Sequence, residues 1–334
     1  MDIMGTLRKI IASPDSLQET KQIAESLASV EESRIVSERA DRYSPDEVLP
    51  VSSEWADLYK QVTSEGLKAA ARSHVTICGM ARNIGGILPA TFARIEDIVD
   101  HFKDHGVVIV ENDSKDETKE VLKAYEASNP SRIACSVNDF DWPHLHGFEA
   151  ERVERYATLR NMYREMVFDR FPGTDLVLVV DLDCWGGWST PGLINGFGWL
   201  KRYKDAACMA STSLFQGLVV GNEVQFGHYD TWALRVHGFS EGLAPWKTAW
   251  LPAPGSPPVQ LYSAFGAAAL YRPEAFSETG YASFDGDIEH AGLHRQMIDN
   301  GWKIYLNPAQ RSLMSWRTDA ERQHSDDLSD GVSG

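Results

Sequence analysis

The 334-residue sequence is 43% hydrophobic and 24% charged, the balance of an ordinary globular chain long enough for one sizeable α/β domain or two smaller ones. Its formal net charge of −16 argues against a long contact with nucleic acid or an anionic membrane, because such surfaces select clustered Lys and Arg that displace counterions. Cys78, Cys135, Cys184 and Cys208 form no C-x-x-C pair and have no His at zinc-ligand spacing, so they read as reduced thiols.

At the amino end, residues 1 to 22 are largely polar, without the unbroken apolar core of a signal peptide, and no 18-residue apolar run occurs anywhere. The expectation is a cytoplasmic protein, at most peripheral at the inner membrane face. Residues 1–72 are expected to form a helical N-terminal extension, with helix-forming stretches at 16–30, 32–42 and 53–72 and a Pro-bearing break at 44–50. From His74 the texture changes to short apolar runs alternating with amphipathic stretches. The strands predicted are 74–78, 106–110, 132–137 and 175–180, and the helices 88–103, 115–127 and 149–170. That alternation predicts an α/β fold, a Rossmann-like and mostly parallel sheet flanked by helices. It divides into a half over 73–183 and a half over 184–316, the second aromatic and rich in Gly and Pro and ending with a helix at 288–300 and a strand at 303–306. The polar, acidic tail at 317–334 is expected to be disordered.

The chemistry concentrates where strands end. Leu176-Val-Leu-Val-Val180 runs directly into Asp181-Leu182-Asp183, which sets two carboxylates on one face at the carboxyl edge of the sheet, where open parallel sheets bind ligands. Two such charges call for a cation, and hard oxygen donors suit Mn²⁺ or Mg²⁺. An ion bridging a diphosphate there would neutralise the charge that develops as a nucleoside diphosphate leaves. The plain alternative is a strand end with solvated or helix-capping aspartates. A second strand end carries Glu111-Asn-Asp-Ser-Lys-Asp-Glu-Thr118, where Glu111 and Asp113 offer acceptors to a ribose or a base N–H, while Asp113 or Ser114 would also serve to cap the next helix. Arg152, Arg155 and Arg160 gather positive charge on the helix preceding Asp181. They suit bidentate phosphate contacts and equally suit ion pairs with Glu149, Glu151 and Glu154.

Six tryptophans, Trp142, Trp185, Trp188, Trp232, Trp246 and Trp250, surround these motifs in sequence. Core packing accounts for most of them. Trp185 and Trp188 are the better candidates for a sugar face, because Cys184-Trp-Gly-Gly-Trp-Ser-Thr190 follows the aspartates at once and its glycines suit a mobile loop. His144-x-His146 has no evident third ligand and reads as loop surface. Gly85-Gly86 is followed by neither G-x-G-x-x-G nor a Walker lysine and is no phosphate loop.

The ordered set Glu111 to Thr118, Leu159-Arg160-Asn161 and Asp181-Leu-Asp183 resembles the signature of GT-A glycosyltransferases, and more closely the fungal capsular α-1,3-mannosyltransferase family and its bacterial relatives. The resemblance spans about residues 73 to 316 and extends through Tyr229-Asp-Thr-Trp-Ala-Leu-Arg235, Phe265-Gly-Ala-Ala-Ala-Leu-Tyr271 and Glu289-His290. It implies a nucleotide-binding half over 73–183 and an acceptor half over 184–316, a GDP-mannose donor, Mn²⁺ or Mg²⁺, retention of anomeric configuration, and a glycan or glycolipid acceptor. It also implies that Arg82 lies in the first nucleotide-binding loop, that Glu111 contacts the nucleoside and that Arg160 faces the diphosphate. Asp183 is then the principal metal ligand and Asp181 approaches the ribose or the metal. Asp230, with Trp185 and Trp188, falls on the acceptor or sugar side. Glu289 stands where many such enzymes place an acid near the acceptor hydroxyl, and becomes the general base if the reaction inverts. His290 replaces the second acid usual at that place. A third metal ligand is left open among His228, His290, His294 and His324. Two other readings stay open: a nucleotidyltransferase or sugar-phosphate-activating enzyme, and a non-catalytic carbohydrate-binding protein.

Overall fold

The computed structural model describes residues 44–145, 149–220, 223–284 and 286–314, apart from the side chains of 216–225. The helices expected at 16–30 and 32–42, the 317–334 tail, His146 and His324 lie outside the described residues. In chain order the elements are α1 (Pro45–Val48), a 3₁₀ turn (Ser53–Trp55), α2 (Ala56–Ala70), β1 (His74–Ala81), α3 (Leu88–Val99), β2 (Asp104–Asn112) and α4 (Thr118–Ser128). Then come β3 (Ile133–Asn138), α5 (Ala150–Arg170), β4 (Leu176–Val180), α6 (Thr190–Arg202), β5 (Ala206–Val220) and β6 (Glu223–His228). The chain closes with α7 (Pro245–Ala249), β7 (Val259–Leu261), β8 (Ala268–Tyr271), α8 (Pro273–Ser277), α9 (Glu289–Asp299) and β9 (Lys303–Leu313).

The strands form one sheet in the order β3-β2-β1-β4-β8-β5-β9-β7, with β6 paired to β5. β1 to β4 are mutually parallel, and β8 joins β4 antiparallel. The sheet is therefore mixed: the parallel βαβ units expected from the sequence make the amino-terminal half, and antiparallel pairings enter with β8, β6 and β7. Side chains alternate strictly through β4. Leu176, Leu178 and Val180 join the core under α2, α3, α4 and α6, whereas Val177 and Val179 join the core under α5, α8 and α9. A strand buried on both faces reads as an unbroken apolar run, which is why it was legible. β5 was not: Ala206-Ala-Cys-Met-Ala-Ser-Thr-Ser213 is built of small residues with little β-branching, and only its place between β8 and β9 fixes it as a strand.

The described part of the N-terminal extension braces the sheet. Ser44 and Glu47 form a capping box at α1, and Asp46 accepts from Arg311 in β9 and from Ser189 Oγ at 2.7 Å. α2 lies against α6 so closely that a Cβ on Gly66 would stand 2.0 Å from the Ile194 carbonyl oxygen. Gly66→Ala is expected to destabilise the fold by about 1–3 kcal/mol through forced separation of the two helices, read as a lower urea midpoint at unchanged slope. A midpoint equal to that of the unaltered chain would show that α2 is not held against α6 in solution.

Between α9 and the sheet, His294 is fully buried; its Nδ1 lies 2.9 Å from Ser263 Oγ and its Nε2 3.0 Å from Tyr271 Oη. Burial pushes this imidazole down to about 3 and that of His228 down to about 4. The unfolded chain, with ordinary histidines near 6.5, takes up protons that these two folded-state histidines refuse, so their contribution to stability is full above about pH 6.5 and falls as the pH drops toward 4. His294→Gln is expected to flatten that slope in pH-dependent urea unfolding; an unchanged slope would show that His294 is not buried neutral.

Candidate active site

The carboxyl ends of β1, β2 and β4 open into a cleft of about 480 Å³. α5 forms one wall: Arg152, Arg155, Tyr156, Leu159 and Arg160 all face it, a set spaced at three, four, seven and eight residues, as one face of a helix requires. The opposite wall comes from the acceptor half, with Tyr229, Asp230, Trp232 and Phe265, and the floor from Asp181, Asp183, Ile288, Glu289 and His290. The glutamate at the start of α9 and the aspartates at the end of β4 thus meet although 106 positions separate Asp183 from Glu289.

Arg160 is the hub of the floor. It is only 5% exposed, donates from Nε to Glu289 Oε1 at 2.9 Å and from an Nη to Tyr163 Oη at 3.2 Å, and has its other Nη 3.8 Å from Asp181 Oδ1. Its guanidinium stands 5.3 Å from the Phe265 ring centre and 5.6 Å from that of Tyr281. Asp181 is held in place by its own N–H, donated to the Ala267 carbonyl at 2.8 Å. Its side chain is 31% exposed into the cleft yet walled by protein, and this confinement, which outweighs Arg160 and is reinforced by Asp183, Asp230 and Glu289, pushes its carboxyl up to about 7. Asp230 receives backbone N–H groups on both oxygens, Gly266 at 2.9 Å and Ala233 at 3.3 Å, and its pKa too is raised by burial. Asp181 and Glu289 therefore share one buried guanidinium, while Asp183 and Asp230 add like charge beside Asp181. Among the described residues no group of three or more His, Cys, Asp or Glu side chains converges as a ready-made metal cage. Asp181 and Asp183 offer two oxygen donors, leaving the remaining positions of an ion to a ligand or water, as hard divalent ions bound beside phosphates usually have them.

The loops after β1 and β2 are laced together. Asn83 N–H donates to Ser114 Oγ at 3.0 Å, Ile84 N–H to Thr118 Oγ1 at 2.8 Å, Gly85 N–H to Asp116 at 3.0 Å, and Lys115 N–H to Asn83 Oδ1 at 2.8 Å. Asp116, rather than Asp113 or Ser114, takes the first N–H of α4, that of Thr118, at 3.0 Å. Arg82 reaches the cleft edge, where it donates to the Trp142 carbonyl at 2.9 Å while its Nε is buried without a partner.

Three expectations are corrected. Glu111 does not reach the cleft: it is fully buried and spends its carboxylate on the N–H groups of Ser114 at 2.6 Å and Asn138 at 3.3 Å, tying β2 to β3, and the neighbouring Asn112 faces the cleft instead. Asp113, with φ of +54°, likewise turns to its surroundings, accepting from Asn112 Nδ2 at 3.0 Å and Asp141 N–H at 2.8 Å. Trp185 and Trp188 pack into the core beside β9 and do not line the cleft. The loop that carries them is clamped, because Arg94 donates to the Cys184 carbonyl at 2.8 Å and the Trp185 carbonyl at 2.5 Å and lies over Gly187, whose φ of +69° a side chain would strain. The aromatic lining comes from Trp142, Tyr156, Tyr229 and Trp232 instead. Arg155 does form the expected helix-surface pair with Glu151, and also donates to the Pro143 carbonyl at 3.1 Å.

Phe265 is a wall residue to which the sequence assigned no role, and His290 a floor residue that the sequence offered only as one of four candidates for a third metal ligand. Their signal was present in the adjacency of Phe265 to Gly266 and of His290 to Glu289, but which side of β8 and α9 meets the cleft is decided only by packing.

No helix of the described residues is long and apolar enough to cross a membrane. Neither a protein-family model nor a curated protein sequence matches the chain. Among solved structures it is similar to the mannosyltransferase PcManGT from Pyrobaculum calidifontis in complex with GDP-Man and Mn²⁺, with a TM-score of 0.44 and 13% identity, covering 78% of this chain and 67% of that one. It is similar also to GalNAc-T7 with UDP, GalNAc and Mn²⁺ (TM-score 0.46, 12% identity, 81% of this chain and 55% of that one). A third is S. aureus TarS 1-349 (TM-score 0.42, 11% identity, 72% and 60%), so the chain spans little more than half the length of the latter two.

Proposed function

We propose that the chain is a metal-dependent glycosyltransferase of the GT-A type, which moves a sugar from a nucleotide-sugar donor, GDP-mannose by preference, to a hydroxyl of a glycan or glycolipid. The observation that carries this reading is the convergence of Asp181, Asp183, Asp230 and Glu289 with Arg160 in one cleft at the carboxyl ends of parallel strands. Asp181 and Asp183 would hold a Mn²⁺ or Mg²⁺ ion, which would supply positive charge toward a diphosphate leaving group. Arg82, whose Nε has no protein partner, and Arg160 flank the space for that diphosphate. Asn112, in place of Glu111, offers its amide to the nucleoside. Asp230 presents a carboxylate fixed by two backbone N–H groups, suited to accept from sugar hydroxyls. Tyr229 and Trp232 give the acceptor side the apolar planes on which sugar C–H faces pack. The preference for GDP-mannose rests on the sequence resemblance to the capsular mannosyltransferases.

Calorimetric titration with GDP, GDP-mannose, UDP and UDP-sugars, each with Mn²⁺ and with chelator, tests the reading. Metal-dependent binding of one nucleotide family supports it and names the donor class. Absence of nucleotide binding under every condition refutes it in favour of a carbohydrate-binding protein, and tight binding of a nucleoside triphosphate in place of the nucleotide sugar refutes it in favour of a nucleotidyltransferase.

A further inference from the structure

His290 has nothing to do within the protein. It is 3% exposed, lines the cleft floor, and neither its Nδ1 nor its Nε2 has a hydrogen-bond partner. Leaving a buried polar atom unpaired costs about 1–3 kcal/mol, so two on one ring, at the floor of a cleft, mark a place where a partner is to arrive. The ring is also tightly oriented. Phe265 stacks on it at 4.0 Å between centres and 18° between planes, Tyr281 meets it edge-on at 5.5 Å, and Glu289 Oε1 lies 4.0 Å from its Nε2, beyond hydrogen-bond reach. Phe265 belongs to the segment whose next two residues hold the cleft's acids, Gly266 donating to Asp230 and Ala267 accepting from Asp181. His290 thus shares the cleft floor with the aspartates that would hold the metal.

We infer that His290 is the partner of a hydroxyl on the transferred sugar, binding it from the cleft floor where that sugar adjoins the diphosphate, and so helps to determine which donor sugar is accepted. This rests on the transferase reading above. Burial, with Arg160 and His294 nearby, holds the imidazole well below its ordinary pKa. A neutral ring has one donor and one acceptor nitrogen, and a hydroxyl can satisfy either. Both nitrogens are shielded from solvent, so the hydroxyl reaches one of them only with a local shift of the cleft floor.

The test compares nucleoside diphosphate with nucleotide sugar, by calorimetry without acceptor, in the unaltered chain, His290→Phe and His290→Gln, all with Mn²⁺; GDP and GDP-mannose are one pair of probes, UDP and UDP-glucose the other. Phe keeps the stack on Phe265 without the nitrogens, and Gln restores hydrogen bonding. The expected result is that the diphosphate binds all three proteins within about twofold, whereas the nucleotide sugar binds His290→Phe about three- to tenfold more weakly, the worth of one neutral hydrogen bond, with part of the loss recovered in His290→Gln. Equal weakening of both ligands, or undiminished binding of the nucleotide sugar, overturns the assignment; if His290→Phe does not fold, the same comparison is read on His290→Gln against the unaltered chain. Failure of the unaltered chain to bind any nucleotide removes the transferase reading itself, and this inference with it.

Discussion

Asp183→Asn is expected to lower sugar transfer by about a thousandfold while leaving the fold intact. An ion that neutralises a departing diphosphate stabilises the transition state by several kcal/mol, and about 4 kcal/mol corresponds to about a thousandfold in rate. Asp183 lies in the turn after β4, and the change to Asn alters charge without altering shape. It also removes a like charge beside Asp181 while keeping a side-chain oxygen at position 183, so the metal-free variant should melt no lower than the unaltered metal-free chain. The two proteins should diverge when Mn²⁺ is added. An ion that binds only the folded state stabilises it by about 2.7 kcal/mol at one hundred times its Kd, so the unaltered chain should gain several degrees in Tm and the variant little. Transfer assays and melting curves with and without Mn²⁺ check both halves. Equal stabilisation of the two proteins would place the cation elsewhere.

That aspartate pair was legible because its signal is local: five apolar residues buried on both faces, followed at once by two carboxylates at a strand's end. The same logic found β1 to β4 and α3 to α5 within a few residues. It failed where a residue's task is set by what lies across from it. Glu111 occupies a strand end as favourable as that of Asp181, but the Asn138 and Ser114 amides stand where a ligand would have to be, and nothing near Glu111 in sequence reveals the arrival of β3. Trp185 and Trp188 follow the aspartates directly, yet Arg94, some 90 positions earlier, ties their loop to α3 while Leu313 holds it to β9. Conversely, Trp232 and Phe265 reach the cleft from the acceptor half, where short strands and irregular connections carry little periodicity to read. Arg160 was recognised as a site residue, but its pairing with Glu289 joins α5 to α9 across 129 positions and is a property of the packed molecule alone.

That pairing carries the other large effect. Arg160→Met is expected to destabilise the fold by about 3–5 kcal/mol, because it leaves Glu289, 5% exposed, and the confined Asp181 without their shared counter-charge. Glu289→Gln should cost less: Arg160 keeps Asp181 and the Tyr163 hydroxyl, and the new amide still offers an oxygen to Nε. In the double variant the penalty should fall well below the sum of the two, since a neutral amide at position 289 no longer needs Arg160, and urea unfolding of the four proteins measures the difference. Additive penalties would mean that Arg160 and Glu289 are independent in solution. Activity separates the roles further. Glu289→Gln alone should reduce kcat with nucleotide binding kept, whether Glu289 takes the acceptor's proton or orients Arg160 against the diphosphate. The pH profile distinguishes these: loss of a proton acceptor removes the acidic limb of kcat, whereas loss of orientation lowers kcat equally at every pH. The close Arg160 contact, with Nε on Glu289 Oε1 at 2.9 Å, favours orientation, because that oxygen is already engaged by the buried guanidinium and not turned toward an acceptor.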